Sequence, residues 1–217
     1  MVYIALEGLK GAGKTTAIEY VSAVLKQRRI TPAILAPTRP MPDDVWWERA
    51  YAHFGSEDAF REALYAARSN YHASKINRHA PLILGDRSII TSLAIRWHQD
   101  ADKERRIKHV RQSEYLIPMP DWVIQLDVSD EELLRRYHSR NRCYGTDEEN
   151  LASIRQIRSN YCQLRHYLTT QSDKPQWQVL DCTHHSRDET GQQLADMVVH
   201  ILASTQSTSS GCVEVGI

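Results

Sequence analysis

Five short apolar runs punctuate the chain, at residues 3–6, 33–36, 82–84, 122–128 and 177–180. Each is nearly continuous in its apolar character, as expected of strands covered on both faces. Between and after them lie stretches with helical spacing, which predict helices over 14–27, 56–78, 90–97, 130–140, 148–167 and 187–203. Strand alternating with helix is the pattern of an α/β domain whose parallel sheet carries helices on both sides. Ligands in such sheets gather beyond the carboxyl ends of the strands. Residues 37–44 hold three prolines and read as a loop after the second run. The charged run at 100–108 reads as a solvated helix leading into a loop. Residues 204–217, rich in Ser and Thr, show no amphipathic period and are expected to form a loose tail after a single domain spanning 1–203.

A length of 217 residues suffices for a substantial core. With 27 basic and 27 acidic residues there is no global field to hold nucleic acid or an anionic membrane, so any anion site must be local. Cys143, Cys162, Cys182 and Cys212 form no C-x-x-C pair and read as free thiols of a reducing compartment. No stretch approaches the length of a membrane span. The expected location is the cytoplasm.

The chemistry is concentrated directly after the first apolar run. Leu6-Glu7-Gly8-Leu9-Lys10-Gly11-Ala12-Gly13-Lys14-Thr15-Thr16 contains Gly, four residues, then Gly-Lys-Thr, the pattern of a phosphate-binding loop between strand and helix. Glycines at 8, 11 and 13 let the backbone N–H groups, including those of Ala12 and Thr16, converge on one concavity that a polyphosphate fills. Lys14 then reaches the terminal phosphates, and the Thr15 hydroxyl holds Mg²⁺.

The third run ends in Gly85-Asp86-Arg87. An aspartate delivered at the carboxyl end of a strand in the same sheet is a candidate second metal contact, so Asp86 joins Thr15 in a predicted metal site. Arg87 either binds a substrate phosphate bidentately or forms a structural pair with Glu7 or Asp86. Residues 136–149 combine Arg136, Arg140 and Arg142 with a glycine at 145. They read as a lid closing over a nucleotide or as a basic helix end complementing its own dipole.

Several of these segments, in this order, resemble bacterial-type thymidylate kinases, members of the nucleoside monophosphate kinase group. The phosphate loop is similar to I-E-G-L-E-G-A-G-K-T-T-A, Thr38-Arg39-Pro40 to the start of T-R-E-P-G-G-T, and Leu64-Tyr65-Ala66-Ala67-Arg68 to F-Y-A-A-R. Gly85-Asp86-Arg87 matches G-D-R, and residues 120–128 resemble P-D-L-T-L-Y-L-D-V. The likeness extends from residue 1 to about residue 203. It implies a three-layer P-loop kinase fold, a five-stranded parallel sheet flanked by helices with a short arginine-rich lid, using ATP and Mg²⁺. It further implies that Gly8, Gly11, Ala12, Gly13, Lys14, Thr15, Thr16, Arg136 and Arg140 hold the donor, with Lys14, Arg87 and Arg140 acting on the transferred group. Arg39, Arg68 and Arg87 would grip an acceptor monophosphate, with Thr91 and Ser92 facing its base. The turn Cys182-Thr183-His184 falls where the family packs adenine. A homodimer is implied, and Trp46-Trp47 is a candidate patch for it.

The departures lie on the acceptor side. The family's acidic residue in the loop is Lys10, its stacking phenylalanine is Leu64, and its A-Y-Q tyrosine and glutamine are Ile95 and Arg96. Losing an aromatic platform forfeits roughly 1–3 kcal/mol of base stacking, although Phe60 lies one turn before Leu64 on the same helix face. Cations at 10 and 96 invite a more anionic acceptor. Three readings follow: a kinase converting dTMP to dTDP, a kinase of the same fold acting on a modified nucleotide or other small anionic metabolite, or a nucleotide sensor without turnover. All three take small-molecule nucleotides as partners.

Overall fold

A computed structural model describes residues 1–42, 46, 49–50, 57–139, 149–170 and 175–209. Five strands, β1 (Val2–Glu7), β2 (Ala33–Leu35), β3 (Leu82–Asp86), β4 (Trp122–Asp127) and β5 (Gln176–Asp181), form one sheet in the order β2-β3-β1-β4-β5. Every neighbouring pair is parallel, with Leu6 opposite Asp86 and Glu7 opposite Gln125. The carboxyl ends of β1 and β3 therefore lie side by side, which brings the phosphate loop and the Gly85-Asp86-Arg87 segment together.

Successive side chains of a strand point to opposite faces, and β1 divides its residues accordingly. Ile4 and Leu6 pack with α1 (Lys14–Gln27) and α7 (Arg187–Ser209) through Ile18, Val21, Leu25, Leu194 and Val198. Tyr3 and Ala5 face the other layer, built from α3 (Ile89–Ile95), α4 (Lys103–Ser113) and α6 (Leu151–Thr169), through Ile90, Trp97, Val110, Tyr161 and Leu164. The expected three-layer α/β architecture is thus the observed one. Helices α2 (Asp58–Lys75) and α5 (Asp130–Ser139) flank the cleft.

Most boundaries differ from the sequence reading by a few residues, and local chemistry explains several. Helix α2 stops at Lys75 because Ile76 turns extended, short of the expected residue 78. Helix α6 starts at Leu151, after Asn150 accepts a hydrogen bond from the Ser153 amide, rather than at residue 148. Helix α7 continues to Ser209, so residues 204–209 of the expected tail are helical. The charged run does form a helix, capped by Asp102, but it is not simply solvated: Arg106 and Val110 are buried on its inner face, and Glu114 is buried at its end. Among the described residues no helix is long and apolar enough to cross a membrane.

Candidate active site

The loop between β1 and α1 has left-handed backbone at Gly8, Gly11 and Gly13, with φ of 127°, 86° and 98°. At Gly8 the close approach of β4 adds a second demand: a Cβ would lie 2.2 Å from the carbonyl oxygen of Leu126. A left-handed turn of this kind ahead of a helix N-terminus suits anions, and the Ala12 amide donates within the loop to the Leu9 carbonyl at 3.2 Å. The Lys14 ammonium is buried within the loop and donates to the carbonyls of Gly8 at 3.0 Å and Leu9 at 2.8 Å. Thr15 and Thr16 remain exposed at the mouth.

Asp86 connects the loop to the neighbouring strand. Its Oδ2 accepts from the Thr15 hydroxyl at 2.9 Å and pairs with Arg39 Nη2 at 3.4 Å. A hydroxyl beside a carboxylate is a hard-oxygen donor set, which fits Mg²⁺, an ion that keeps much of its shell as water and substrate phosphate. Arg87 follows with φ of 75°, a left-handed conformation uncommon outside glycine. Its Nη1 donates to the Gly8 carbonyl and to the Thr91 hydroxyl, both at 3.3 Å. Among the described residues its hydrogen bonds run to Gly8 and Thr91 rather than directly to the Glu7 or Asp86 carboxylates. Burial works against its charge, and Tyr161, Glu7 and Asp86 outweigh that effect, raising its pKa.

Beneath Arg87 lies Glu7, which holds a network of hydroxyls rather than the arginine itself. Glu7 is fully buried, and its carboxylate accepts from Ser88 at 2.7 Å, Thr91 at 2.6 Å and Tyr161 at 2.8 Å. Thr91 thereby links Glu7 to Arg87. A charge at the end of β1 followed by hydroxyl residues after Asp86 was the available signal, but Tyr161 comes from α6 and only the fold brings it in.

On the other side of the loop a cavity of about 520 Å³ is lined by Gly11, Gly13, Arg136, His185, Arg187 and Thr190, among others. Arg136 spans it, donating to Glu132 at 2.7 Å, to the Gly11 carbonyl at 3.2 Å and to the Cys182 carbonyl at 3.4 Å. Arg135 and Arg136 hold the Glu132 carboxyl down at about 2. The cavity wall is the segment following the expected Cys182-Thr183-His184 turn. Ser186 and Glu189 form a reciprocal capping box there, at 3.2 and 2.8 Å, which fixes the start of α7 at the cavity edge. The Ser-x-x-Glu spacing was the readable signal. Arg140, Arg142 and most of the expected lid lie outside the described residues, as do Trp47, Cys143 and Cys212; Cys162 is an exposed and Cys182 a buried free thiol.

The remaining sequence-predicted positions are distributed unevenly. Thr91 and Ser92 are buried on α3, and Arg68 lies on α2 with its guanidinium 5.9 Å from the Tyr65 ring. Leu64 is 1% exposed, packed rather than displayed. Lys10 forms an ion pair with Glu149 at 2.6 Å. Arg96 is buried and bonded to Asp58, Nη2 to Oδ1 at 2.9 Å and Nε to Oδ2 at 3.3 Å.

A phosphate loop at the end of a central parallel strand, with an aspartate presented by the adjacent strand, defines the P-loop class of nucleotide-handling α/β proteins. Comparison with known sequences narrows the class. Residues 6–190 match the thymidylate kinase family, and the chain belongs to that family. It is 28% identical over 173 residues to the thymidylate kinase of Limosilactobacillus reuteri, covering 75% of this chain and 81% of the relative. It is 29% identical over 168 residues to a probable thymidylate kinase of Methanobrevibacter smithii, covering 75% and 80%. The thymidylate kinase of Buchnera aphidicola subsp. Schizaphis graminum is 27% identical over 171 residues, with 73% and 79% covered. Family membership carries nucleotide-kinase chemistry with it.

Proposed function

We propose that this protein transfers the γ-phosphoryl group of ATP to a nucleoside monophosphate, with dTMP as the default acceptor and dTDP as product. The observation that carries this reading is the hydrogen bond between Thr15 and Asp86, with Arg39 on the same carboxylate. That arrangement joins a phosphate loop to an arginine-lined side where a second anion can sit. Lys14, together with Gly8, Gly11, Ala12, Gly13 and Thr16, binds the donor phosphates. Thr15 and Asp86 hold Mg²⁺, which supplies charge neutralisation on the phosphate oxygens when bound. Arg39, Arg68 and Arg87 bind the acceptor phosphate, Thr91 supports Arg87, and Ser92 lies behind the base site. Arg136 borders the adenine side, and Arg140 acts on the transferred group.

Transfer is direct and in line, because phosphoryl transfer asks mainly for positioning and electrostatics. The acceptor phosphate oxygen attacks the γ-phosphorus, and the bond to the β–γ bridging oxygen breaks, leaving ADP. The protein works in the cytoplasm as a homodimer on small nucleotides. A second reading, the same chemistry on another monophosphate, is favoured by the packed Leu64 and by Lys10 and Arg96 being engaged with Glu149 and Asp58. The test is ADP release from ATP and Mg²⁺ with and without dTMP. Stimulation by dTMP with dTDP recovered supports the first reading. Stimulation only by other monophosphates supports the second, and ATP binding with no stimulation by any acceptor contradicts both.

A further inference from the structure

Glu114 closes α4 inside the layer that carries the acceptor arginines. It is 3% exposed, although a carboxyl is seldom so buried unless paired. The segment around it docks onto α2 directly behind Arg68. Ser69 donates to Glu114. Asn70 donates from Nδ2 to the Ser113 carbonyl at 2.7 Å, and its Oδ1 accepts from the Leu116 amide at 3.0 Å. Ser92, next to Thr91 on α3, donates to the same carboxyl. One side chain therefore ties the helix bearing Arg68 to the helix whose Thr91 supports Arg87.

The groups facing Glu114 give a negative charge there no settled place. Tyr3 of β1 meets it with a phenol that burial and the Glu7 and Glu114 carboxyls keep neutral. Glu62 of α2 adds a like charge, and Arg106 of α4 an opposite one. Arg106 is already engaged: its Nη2 lies 2.8 Å from Glu62 Oε1, where His109 also stands at 3.5 Å. Glu114 Oε2 and Arg106 Nε are buried without hydrogen-bond partners among the described residues. A neutral carboxyl tolerates this setting better than a carboxylate, and burial pushes the Glu114 pKa up to about 7. Ionisation sets Glu114 against Glu62 for the same guanidinium, and Glu62 lies less than two turns before Arg68 on α2.

We propose that Glu114 is a positioning residue for the acceptor site: its neutral carboxyl holds the Arg68 segment of α2 against α3, and its ionisation loosens acceptor binding while leaving ATP binding unchanged. This rests on the monophosphate-kinase reading and gives that site a regulation by protons. Acceptor affinity is full while Glu114 carries its proton and falls as pH rises through about 7. The phosphate loop touches none of these groups through a printed bond, so the donor side does not follow.

The test is acceptor KM and kcat from about pH 6 to about pH 8.5, with ATP affinity by calorimetry, in the wild type, Glu114→Gln and Ser69→Ala. The acceptor is whichever of dTMP, dUMP, dGMP, dCMP and dAMP turns over fastest. Its own phosphate titrates near about pH 6 with every variant, so the ratio of wild-type to Glu114→Gln KM is what is read. Glutamine keeps the neutral shape, and that ratio should rise about fivefold to tenfold across the range, with kcat moving less and ATP affinity constant. By the reciprocity of linkage, acceptor binding near neutral pH should take up more protons in the wild type than in Glu114→Gln. Ser69→Ala should lose the rise in KM while its thermal midpoint still declines with pH, which separates positioning from burial alone; it carries the test if Glu114→Gln does not fold. A flat ratio, ATP affinity falling in step with acceptor affinity, or equal proton uptake would overturn the positioning role and leave the kinase reading intact. Absence of turnover with every monophosphate would remove the kinase reading itself and this inference with it.

Discussion

The phosphate-loop side of the cleft presents its groups from one continuous turn, Gly8 to Thr16, whereas the arginine side draws Arg39, Arg68, Arg87 and Arg96 from separate segments. The first side takes its shape from one turn between β1 and α1, with β4 packed against Gly8 and Tyr137 of α5 bonded to the Lys10 carbonyl. The second depends on which partner each cation finds. Arg39 finds Asp86, Arg87 finds Gly8 and Thr91, and Arg96 finds Asp58. The same residue type thus becomes a cation facing the cleft or a buried support, according to its neighbours.

The largest effect should come from the continuous side. Lys14→Met removes the ammonium from the loop, and turnover is expected to fall about 10³-fold, the scale of a lost preorganised charge. The Lys14 bonds to the Gly8 and Leu9 carbonyls are local to the loop, and circular dichroism is expected to show the fold retained; near-normal turnover in that variant would detach the loop from the chemistry.

The next effect concerns stability on the arginine side's supporting layer. Glu114 is buried at the end of α4, and burial pushes its carboxyl up to about 7 from 4.5, against hydrogen bonds from Ser92 and Ser69. A carboxyl whose folded pKa is raised binds its proton more tightly when folded, so its contribution is fully present below about pH 4.5 and is lost as pH rises through about 7. The loss is on the order of 3 kcal/mol. Thermal midpoints across that range should decline in the wild type and flatten in Glu114→Gln; equal slopes would remove Glu114 from the account.

Arg68→Ala then separates the two sides directly. Acceptor KM should rise about tenfold to hundredfold, the scale of a lost charge-assisted bond, with ATP affinity measured by calorimetry nearly constant. Equal loss of both affinities would make Arg68 a structural residue. The smallest effect belongs to the ion pair between Lys10 and Glu149, whose side chains are 32% and 19% exposed. A double-mutant cycle on thermal stability should give a coupling below about 1 kcal/mol. A larger coupling would mean that this pair joins the loop to the start of α6 more firmly than partial exposure allows.

What was legible in the sequence divides along the same line. The strands, their alternation with helices and the phosphate loop rest on contiguous patterns, and each is found in place. Asp86 and Arg87 were legible because an apolar strand ends on them. The partners of Glu7, Lys10 and Arg96 were not, because Tyr161, Glu149 and Asp58 are distant in sequence and only packing of α2, α3 and α6 brings them near. Leu64 kept its place in the F-Y-A-A-R pattern but lost the aromatic ring, and a small aliphatic side chain is easily absorbed into the packed layer, where it is found. The start of α7 at Arg187 was legible from its helical spacing and is fixed by the Ser186–Glu189 capping box.

The most direct measurement follows the phosphoryl group itself: ATP labelled at the γ-position, incubated with Mg²⁺, dTMP and the protein, with products separated by ion exchange. The account predicts label in a nucleoside diphosphate formed one-for-one with ADP. Label retained in ATP that is nevertheless bound, or released only as inorganic phosphate, would contradict it.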